Sequence, residues 1–313
     1  MKKLSNKILL ISLVVLVAIF AASRIFRSPG LESTVRKELV KLDTATVDEV
    51  RILPAKERAE EIKLVREGNN WKVSKGTRTE PGNITSVKGM LGSLVNLQAQ
   101  RIASRKKEKW QDYNVGDNST HVSVYKGGDQ VADFHVGKLG FVQSADGGFG
   151  GAYTYVRLSD EDEVYTVEGF LESSFNNSFN DWRDKTLLKL NKSDITKISF
   201  RYPADSSFVL DKRDSVWFVG NEKAEPSKVE GLLNQFTSKY LNEFADGFMP
   251  GAQADVVLQI DGSAGSLATV EAWKAEPVWI LTSSTQKGVY FSSKGTSVIN
   301  DVLVGRRKLV AEK

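Results

Sequence analysis

The sequence predicts an α+β protein that begins with a transmembrane helix and continues as two tandem, duplicated domains of mainly antiparallel sheet with packed helices. Three observations lead to this fold class. An apolar run follows a lysine cluster at the amino terminus, a long block of sequence is written twice, and each copy has the order strands, helix, strands, helix.

Length and composition agree with two globular domains, because 313 residues exceed one average domain. The net charge of +4 lies entirely in residues 1–26, and the remainder of the chain is neutral. A neutral body argues against nucleic acid as a partner, since that affinity comes mainly from phosphate neutralisation. The chain has no cysteine, which excludes disulfides, thiolate nucleophiles, zinc-thiolate sites and an acylated lipoprotein cysteine.

Residues 1–26 are predicted to be a signal-anchor that contacts the membrane through residues 8–25. Residues 8–22 are apolar except for Ser12, and their length is near the lower limit for a bilayer span. A cleaved signal peptide is the alternative, because residues 20–23 offer small side chains, but the apolar run is longer than a usual signal core. The long neutral body favours a single-pass protein of the cytoplasmic (inner) membrane, with its carboxyl-terminal body on the extracytoplasmic, periplasmic side.

Residues 27–38 read as a linker, and the duplication begins after it. Leu39-Val-Lys-Leu-Asp43 returns as Leu187-Leu-Lys-Leu-Asn191, 148 residues later. Each copy then has a strand centred on a tryptophan (Trp71 and Trp217), which we expect in the core, followed by Glu-Pro and an amphipathic helix. The predicted domains are therefore 39–186 and 187–313.

In the first domain, a strand at 50–53 precedes a hairpin whose turn is Gly68-Asn69-Asn70. Asn83 is placed to cap a helix with its apolar residues at helical spacing. Strands follow, with Gly127-Gly128 as a hairpin turn, and Leu171, Phe175 and Phe179 fall four apart as on one further helix. The second domain repeats this order and closes with a helix at 298–303.

Few residues suggest chemistry. His121 and His135 are predicted on different strands, where their spacing cannot show whether they share a face, and polar strand positions are the favoured interpretation over metal binding. Residues 160–163 are all acidic and could hold a hard cation, but without EF-hand spacing a solvated turn is favoured. We therefore assign no catalytic, cofactor-binding or metal residue, and no cofactor.

Three other features have simple structural interpretations. Residues 147–151 are rich in glycine and predict a hairpin loop rather than a phosphate cradle. A basic cluster of Arg101, Arg105, Lys106, Lys107 and Lys109 could contact anionic lipid or a partner, although a solvated loop is favoured. Trp273 and Trp279 are the candidates for stacking on a carbohydrate.

The chain resembles the bacterial membrane-anchored proteins of the family called domain of unknown function 4340. The resemblance rests on Arg66-Glu-Gly-Asn-Asn-Trp71-Lys-Val, the helix after Pro81, Val164-Tyr-Thr-Val167 and Trp182-Arg-Asp-Lys-Thr-Leu187-Leu. It covers nearly all of the chain after the leader, and Asp112-Tyr-Asn-Val115 departs from the family's usual Tyr-Gly-Leu. The resemblance implies a membrane-anchored protein and, as a partner, an ABC-type transporter.

The function predicted is that of a non-catalytic, membrane-anchored, extracytoplasmic binding or scaffold protein, associated with an ABC-type transporter complex. The alternative is an envelope polysaccharide-binding protein or hydrolase that uses the cleft between the domains, and a structural envelope spacer comes third. The sequence does not determine the specific role, the ligand, the oligomeric state or the orientation of the two repeats.

Overall fold

The computed structural model describes residues 38–311, apart from residues 96 and 252, and also Val15. The chain divides into two compact units with their boundary between Arg183 and Asp184. Each unit is built on one nine-stranded sheet in which all neighbouring strands are antiparallel.

The described part of unit 1 contains nine strands and three helices. The strands are β1 (Glu49–Leu53), β2 (Ile62–Glu67), β3 (Asn70–Lys75), β4 (Arg78–Pro81), β5 (Ala99–Ser104), β6 (Thr120–Lys126), β7 (Asp129–Gln143), β8 (Phe149–Leu158) and β9 (Val164–Glu168). The helices are α1 (Ile84–Val95), α2 (Leu171–Phe175) and α3 (Phe179–Trp182). Short 3-10 turns lie at Lys107–Lys109 and Gln111–Tyr113.

Unit 2 has a matching set of elements. Its strands are β10 (Thr186–Leu188), β11 (Ile195–Arg201), β12 (Phe208–Arg213), β13 (Val216–Val219), β14 (Glu222–Lys223), β15 (Lys239–Tyr240), β16 (Glu243–Phe244), β17 (Val256–Gly262), β18 (Gly265–Ala275), β19 (Val278–Ser283) and β20 (Phe291–Ser292). Its helices are α4 (Pro226–Thr237) and α5 (Val298–Val302). β10 and β15 pair with each other outside the large sheet.

The two large sheets have the same strand order. In unit 1 it is β4-β3-β2-β1-β6-β7-β8-β9-β5, and in unit 2 it is β14-β13-β12-β11-β17-β18-β19-β20-β16. In both units the chain runs through a four-stranded meander, crosses over by a 12-residue helix, and builds the second half of the sheet on the other side of the first strand. Both copies of the repeated sequence therefore form the same topology.

The core lies on one face of each sheet because the apolar residues alternate along the strands. Val50 is opposite Leu64 on one side and Val124 on the other, and all three side chains are fully buried. In unit 2 the corresponding row is Ile198 between Leu210 and Ile260, also fully buried. These six residues occupy matching registers.

The helices cover the apolar face. α1 buries Val87, Met90, Leu91 and Leu94, and the side chain of Asn83 accepts a hydrogen bond from the Ser86 N–H at 3.1 Å, as expected of an N-cap. In unit 2, Pro226 starts α4 at a position where its missing N–H costs nothing.

The helix predicted from Leu171, Phe175 and Phe179 is in fact two. α2 ends at Phe175, and α3 starts at Phe179 after a capping box between Ser178 and Asp181. The Ser178 hydroxyl donates to the Asp181 carboxylate at 2.6 Å, which starts a new helix instead of continuing the first. Leu171, Phe175 and Phe179 are spaced by four residues although they lie on two helices, because all three side chains pack into the same core.

The predicted fold class, with a transmembrane helix at its start, is wrong for the structure observed, which is mainly antiparallel sheet. Within the described residues, no helix is long and apolar enough to cross a membrane. The longest of the described helices, α1 and α4, have 12 residues, whereas a span needs about 20. The predicted segment, residues 1–26, lies outside the described residues except for Val15. The location assigned to the body stays a prediction.

We expect a single deletion in either core to destabilise the unit that contains it. Leu64→Ala and its counterpart Leu210→Ala each remove a fully buried side chain, and each should lower the free energy of unfolding by about 2–5 kcal/mol. The loss in free energy of unfolding is measured by chemical denaturation, with hydrogen exchange used to monitor each unit separately. Val209→Ala, at a side chain 37% exposed, is the control and should cost under about 0.5 kcal/mol. Equal losses for Val209→Ala and Leu210→Ala would contradict the assigned core.

Candidate functional site

His121 and His135 lie next to each other on the sheet of unit 1. They are directly opposite on β6 and β7, with ring centroids 4.7 Å apart and ring planes 23° from parallel. Their neighbours Val122 and Phe134 point into the core, so both histidines lie on the other face of the sheet, which we call the outer face. The sequence could not show this, because the strand register was unknown.

Asp133 is the centre of a group of hydrogen bonds on this face. One carboxylate oxygen accepts from the Ser159 hydroxyl at 2.8 Å and contacts Nε2 of His121, and the other accepts from the Gln130 amide at 2.7 Å. Ser159 and Asp133 also line a cavity of about 460 Å³. We call these residues, with His135, Arg157 and Ser119, the Asp133 cluster.

His135 is held in its neutral form. Burial and, after it, the nearby Arg157 guanidinium lower the pKa of His135 from 6.5 to about 4. Its Nδ1 is 2.8 Å from the Ser119 hydroxyl, which itself donates to the Gly116 carbonyl at 2.6 Å. Because the hydroxyl proton is used in that bond, Nδ1 of His135 must carry the proton and donate to Ser119.

Arg157 anchors a loop onto the outer face. Its side chain is 2% exposed, and its guanidinium donates to the Val115 carbonyl at 3.0 Å and to the Leu158 carbonyl at 3.1 Å. The ring of Trp110 lies 3.7 Å from the guanidinium carbon, a close cation–π contact. Burial lowers the pKa of Arg157, although the guanidinium stays charged. The segment from Trp110 to Val115 is therefore fastened to β8.

The Asp133 cluster lacks the arrangement of a nucleophilic catalyst. In a catalytic triad, histidine lies between serine and the carboxylate and accepts the serine proton. Here the Ser159 hydroxyl donates to Asp133 itself at 2.8 Å, and Nε2 of His121 contacts the same carboxylate oxygen while lying 3.5 Å from the Ser159 oxygen, so histidine does not lie between serine and aspartate as in a triad. The stacked imidazoles also do not converge on one point, and across the described residues no group of three or more metal-binding side chains could hold an ion.

Unit 2 does not repeat this cluster. The register that pairs Val122 with Phe134 in unit 1 pairs Leu258 with Val270 in unit 2. The positions of His121, Asp133, His135 and Arg157 are therefore occupied by Val257, Thr269, Glu271 and Thr282. The polar cluster is a property of unit 1 alone.

The acidic residues 160–163 form a turn between β8 and β9, as favoured from the sequence. Glu161 accepts a hydrogen bond from the Tyr165 hydroxyl at 2.6 Å, and the Asp162 carbonyl accepts from the Trp110 indole at 3.0 Å. Both contacts fasten the turn to its own unit. A cation is not needed to explain this sequence.

The tryptophans contact protein. Trp71 is 3% exposed and lies in the core, as predicted, with Arg66 over its ring at 4.8 Å, and Trp217 is half-buried against the core of unit 2. Trp273 is 9% exposed and donates from its indole to the Gln253 carbonyl at 3.1 Å, and Trp279 packs against the core. Trp273 is therefore buried, whereas Trp279 is half-buried.

The basic cluster is largely exposed and partly neutralised. Arg101 lies on β5 with its guanidinium 5.6 Å from the Tyr153 ring, and Lys109 pairs with Asp112 at 2.8 Å. Lys107 lies over the Trp110 ring at 4.9 Å. The positive charges thus border the loop fastened by Arg157 and do not form a pocket.

A protruding hairpin is the second feature particular to unit 1. β7 and β8 have 15 and 10 residues, whereas their counterparts β18 and β19 have 11 and 6. The turn lies at residues 144–148, so the hairpin loop predicted at 147–151 is only partly right: Gly147 lies in the turn, and residues 149–151 belong to β8. Phe141, Val142 and Phe149 near this turn are 61%, 50% and 68% exposed, and the two phenyl rings meet edge to face at 6.1 Å. We call these three residues the aromatic tip.

The neutral state of His135 predicts a dependence of stability on pH. Its folded pKa of about 4 lies below the unfolded value of 6.5, so the unfolded chain binds an extra proton between them. The contribution of His135 to the free energy of unfolding of unit 1 should therefore be fully present above pH 6.5. It should be lost as the pH decreases toward 4, which lowers the free energy of unfolding by on the order of 2 kcal/mol.

The measurement is chemical denaturation from pH 8 to pH 4 of the natural chain and of His135→Gln, which cannot titrate. The difference in unfolding free energy between the two should be constant above about pH 6.5 and should shift in favour of the variant below it. Parallel curves over the whole range would show that His135 is not held neutral by its surroundings.

One comparison with known proteins identifies a family. Residues 78–258, more than half of the chain, match the sequence model of the family described as a domain of unknown function (DUF4340). No curated protein and no solved structure matches the chain significantly. The matched region runs from β4 of unit 1 to β17 of unit 2, so it includes both the Asp133 cluster and the aromatic tip. The chain therefore belongs to the DUF4340 family.

Proposed function

We propose that this chain is a non-catalytic binding or scaffold protein, and that unit 1 contacts a protein partner through the aromatic tip. The observation that carries the proposal is the exposure of Phe141 and Phe149, each more than half open to solvent at the end of a hairpin whose counterpart in unit 2 is shorter. Aromatic side chains are enriched at protein interfaces, and grouped exposed apolar residues mark interaction sites.

The location of the tip supports binding over a role in folding. Phe141 and Phe149 contact each other near the turn, beyond Val136, which is the last residue of β7 paired with β6. They belong to neither hydrophobic core. A folded protein gains little from placing two phenyl rings in water, so a use in contact with a partner explains them better than stability does.

The non-catalytic part of the proposal rests on the Asp133 cluster. This is the group in unit 1 that combines serine, histidine and aspartate, and its hydrogen bonds hold Ser159 as a donor to Asp133. The cluster positions the strands and the loop of residues 110–115, and it lacks the serine–histidine–carboxylate order of a catalytic triad. From the family resemblance, the partner that we propose is a subunit of an ABC-type transporter.

Replacing the tip should remove the partner without unfolding the chain. Phe141→Ser with Phe149→Ser should reduce the amount of co-purified partner at least about tenfold after gentle extraction, because each ring contributes buried apolar area to the interface. Quantitative mass spectrometry of the co-purified proteins measures it, and the circular dichroism spectrum should be unchanged.

The matched control is Phe170→Ser, which removes a phenylalanine that is also exposed, by 52%, but lies outside the tip. It should retain the partner. Equal recovery of the partner with the tip variant and the natural chain would overturn the assigned surface. Recovery of the natural chain only as a lone monomer would overturn the transporter association.

A further inference from the structure

The hairpin that carries the aromatic tip has an open backbone edge. β6 pairs with β7 from Lys126 to Thr120, and Thr120 lies opposite Val136, so this ladder stops there. β7 continues to Gln143 with β8 as its single neighbour among the described strands. Beside Gly137, Lys138 and Leu139 lies a cavity of about 360 Å³, so the space along the edge is not filled.

The register shows which backbone groups face this open side. Ser159 donates to the Asp133 carbonyl at 3.1 Å, so the odd-numbered residues of β8 point toward β7, and Ala152 points away, accepting instead from Gly169 at 2.9 Å. A bulge between Val136 and Leu139 then places Leu139 opposite Thr154 and Phe141 opposite Ala152. Because residues opposite one another in an antiparallel pair share their orientation, the N–H and C=O groups of Leu139 and Phe141 face outward.

Unit 2 covers the equivalent edge with its own chain. β17 begins at Val256 opposite Ala272, which leaves Trp273 to Ala275 beyond the ladder. There the Lys274 N–H donates to the Asp255 carboxylate at 2.8 Å, and the Trp273 indole donates to the Gln253 carbonyl. In unit 1 the loop before β6 lies against Gly137 and lines the cavity beside it, whereas residues 140–143 have β8 as their single neighbour among the described strands. Exposed edges are normally protected because they pair with other chains.

We propose that the occupant of this edge is a second copy of the same chain, which adds its own β7 edge in antiparallel orientation. This inference goes beyond the proposed function, because the second copy pairs with the backbone edge of β7, whereas the transporter subunit is proposed to contact the exposed rings of the aromatic tip. A twofold axis at Gly140 places Leu139 of each copy opposite Phe141 of the other. Both residues direct N–H and C=O across the axis, so each pair exchanges two hydrogen bonds and no outward group of this segment is left over.

Side chains agree with this pairing. Leu139 and Phe141 lie on one face with Thr154 and Ala152. The twofold axis therefore forms two apolar cross-strand pairs, each between Leu139 of one copy and Phe141 of the other, next to Phe149 of each copy. Lys138 is the single charged residue of the segment and falls opposite Val142 of the second copy, so the two lysines do not face each other. On the other face, any side chain at Gly140 would collide with the Tyr153 ring. Glycine at this position therefore leaves no side chain at the twofold axis.

The open edge also explains why a second copy would stabilise the hairpin. Beyond Gly140, β7 and β8 form a two-stranded ribbon, because the pairing of β8 with β9 ends at Tyr153, and such a ribbon alone is only marginally stable in water. Pairing of two copies makes a four-stranded sheet with the exposed rings of Phe141 and Phe149 along one face. The contact area of so short a segment is small, so the association is weak and depends on concentration.

Sedimentation equilibrium of the natural chain tests this directly. It should show reversible dimerisation at concentrations up to about 1 mM, and hydrogen exchange at high concentration should slow at the Leu139 and Phe141 amides relative to dilute protein. A monomer over the whole range would overturn the inference, whereas loss of a co-purified partner on changing the tip would still support the proposed function.

Two variants of one residue separate backbone pairing from side-chain contact. Phe141→Val and Phe141→Pro both remove the ring, but proline also removes the outward N–H without affecting the hydrogen bonds to β8. Phe141→Val should weaken the dimer, and Phe141→Pro should weaken it at least about tenfold more. Equal dimerisation by both variants would show that the edge does not pair.

Because the chain has no cysteine, the register can be tested by single substitutions. Lys138→Cys mixed with Val142→Cys should form an intermolecular disulfide in mild oxidant, since opposite residues at such a position have Cα atoms about 4.5 Å apart. Each variant alone is the control and should cross-link little. Cross-linking of either single variant to the same extent as the mixture, or none in the mixture, would overturn the twofold axis at Gly140.

Discussion

The fold depends on the register of the central strands. Val50 between Leu64 and Val124, and Ile198 between Leu210 and Ile260, must all point to the same side for each sheet to have an apolar face. A slip by one residue would turn every one of these side chains into water and place charged residues in the core. The helices cover the sheet only because this alternation holds along several neighbouring strands at once.

Once this register is set, the outer face is free to differ between the copies. In unit 1 it carries two stacked histidines, Asp133 and a buried arginine that fastens the loop of residues 110–115. In unit 2 the same positions carry Val257, Thr269, Glu271 and Thr282. A duplicated framework therefore carries two different surfaces, and the differences concentrate on the face that does not build the core and on the hairpin that extends beyond it.

Parts of the structure could be read from local patterns. The turn at Gly127 and the cap at Asn83 each depend on the chemistry of a few adjacent residues, and both occur where they were predicted. The burial of Trp71 followed from alternation along its strand. The break between α2 and α3 was missed, because helical spacing of Leu171, Phe175 and Phe179 does not reveal that Ser178 and Asp181 start a new helix. The predicted fold class was wrong because it included a transmembrane helix, and no helix of the described residues is long and apolar enough to cross a membrane.

The sequence by itself determined the duplication, because matching residues recur in the same order and each recurrence is visible in the chain. It also determined which residues alternate toward a core, since burial follows local periodicity. Only the tertiary structure decided that His121 and His135 stack, that Asp133 accepts a hydrogen bond from Ser159, and that β7 extends beyond the end of β6. These features depend on which residues of distant strands lie opposite each other, and pairing between strands is a property of the whole sheet.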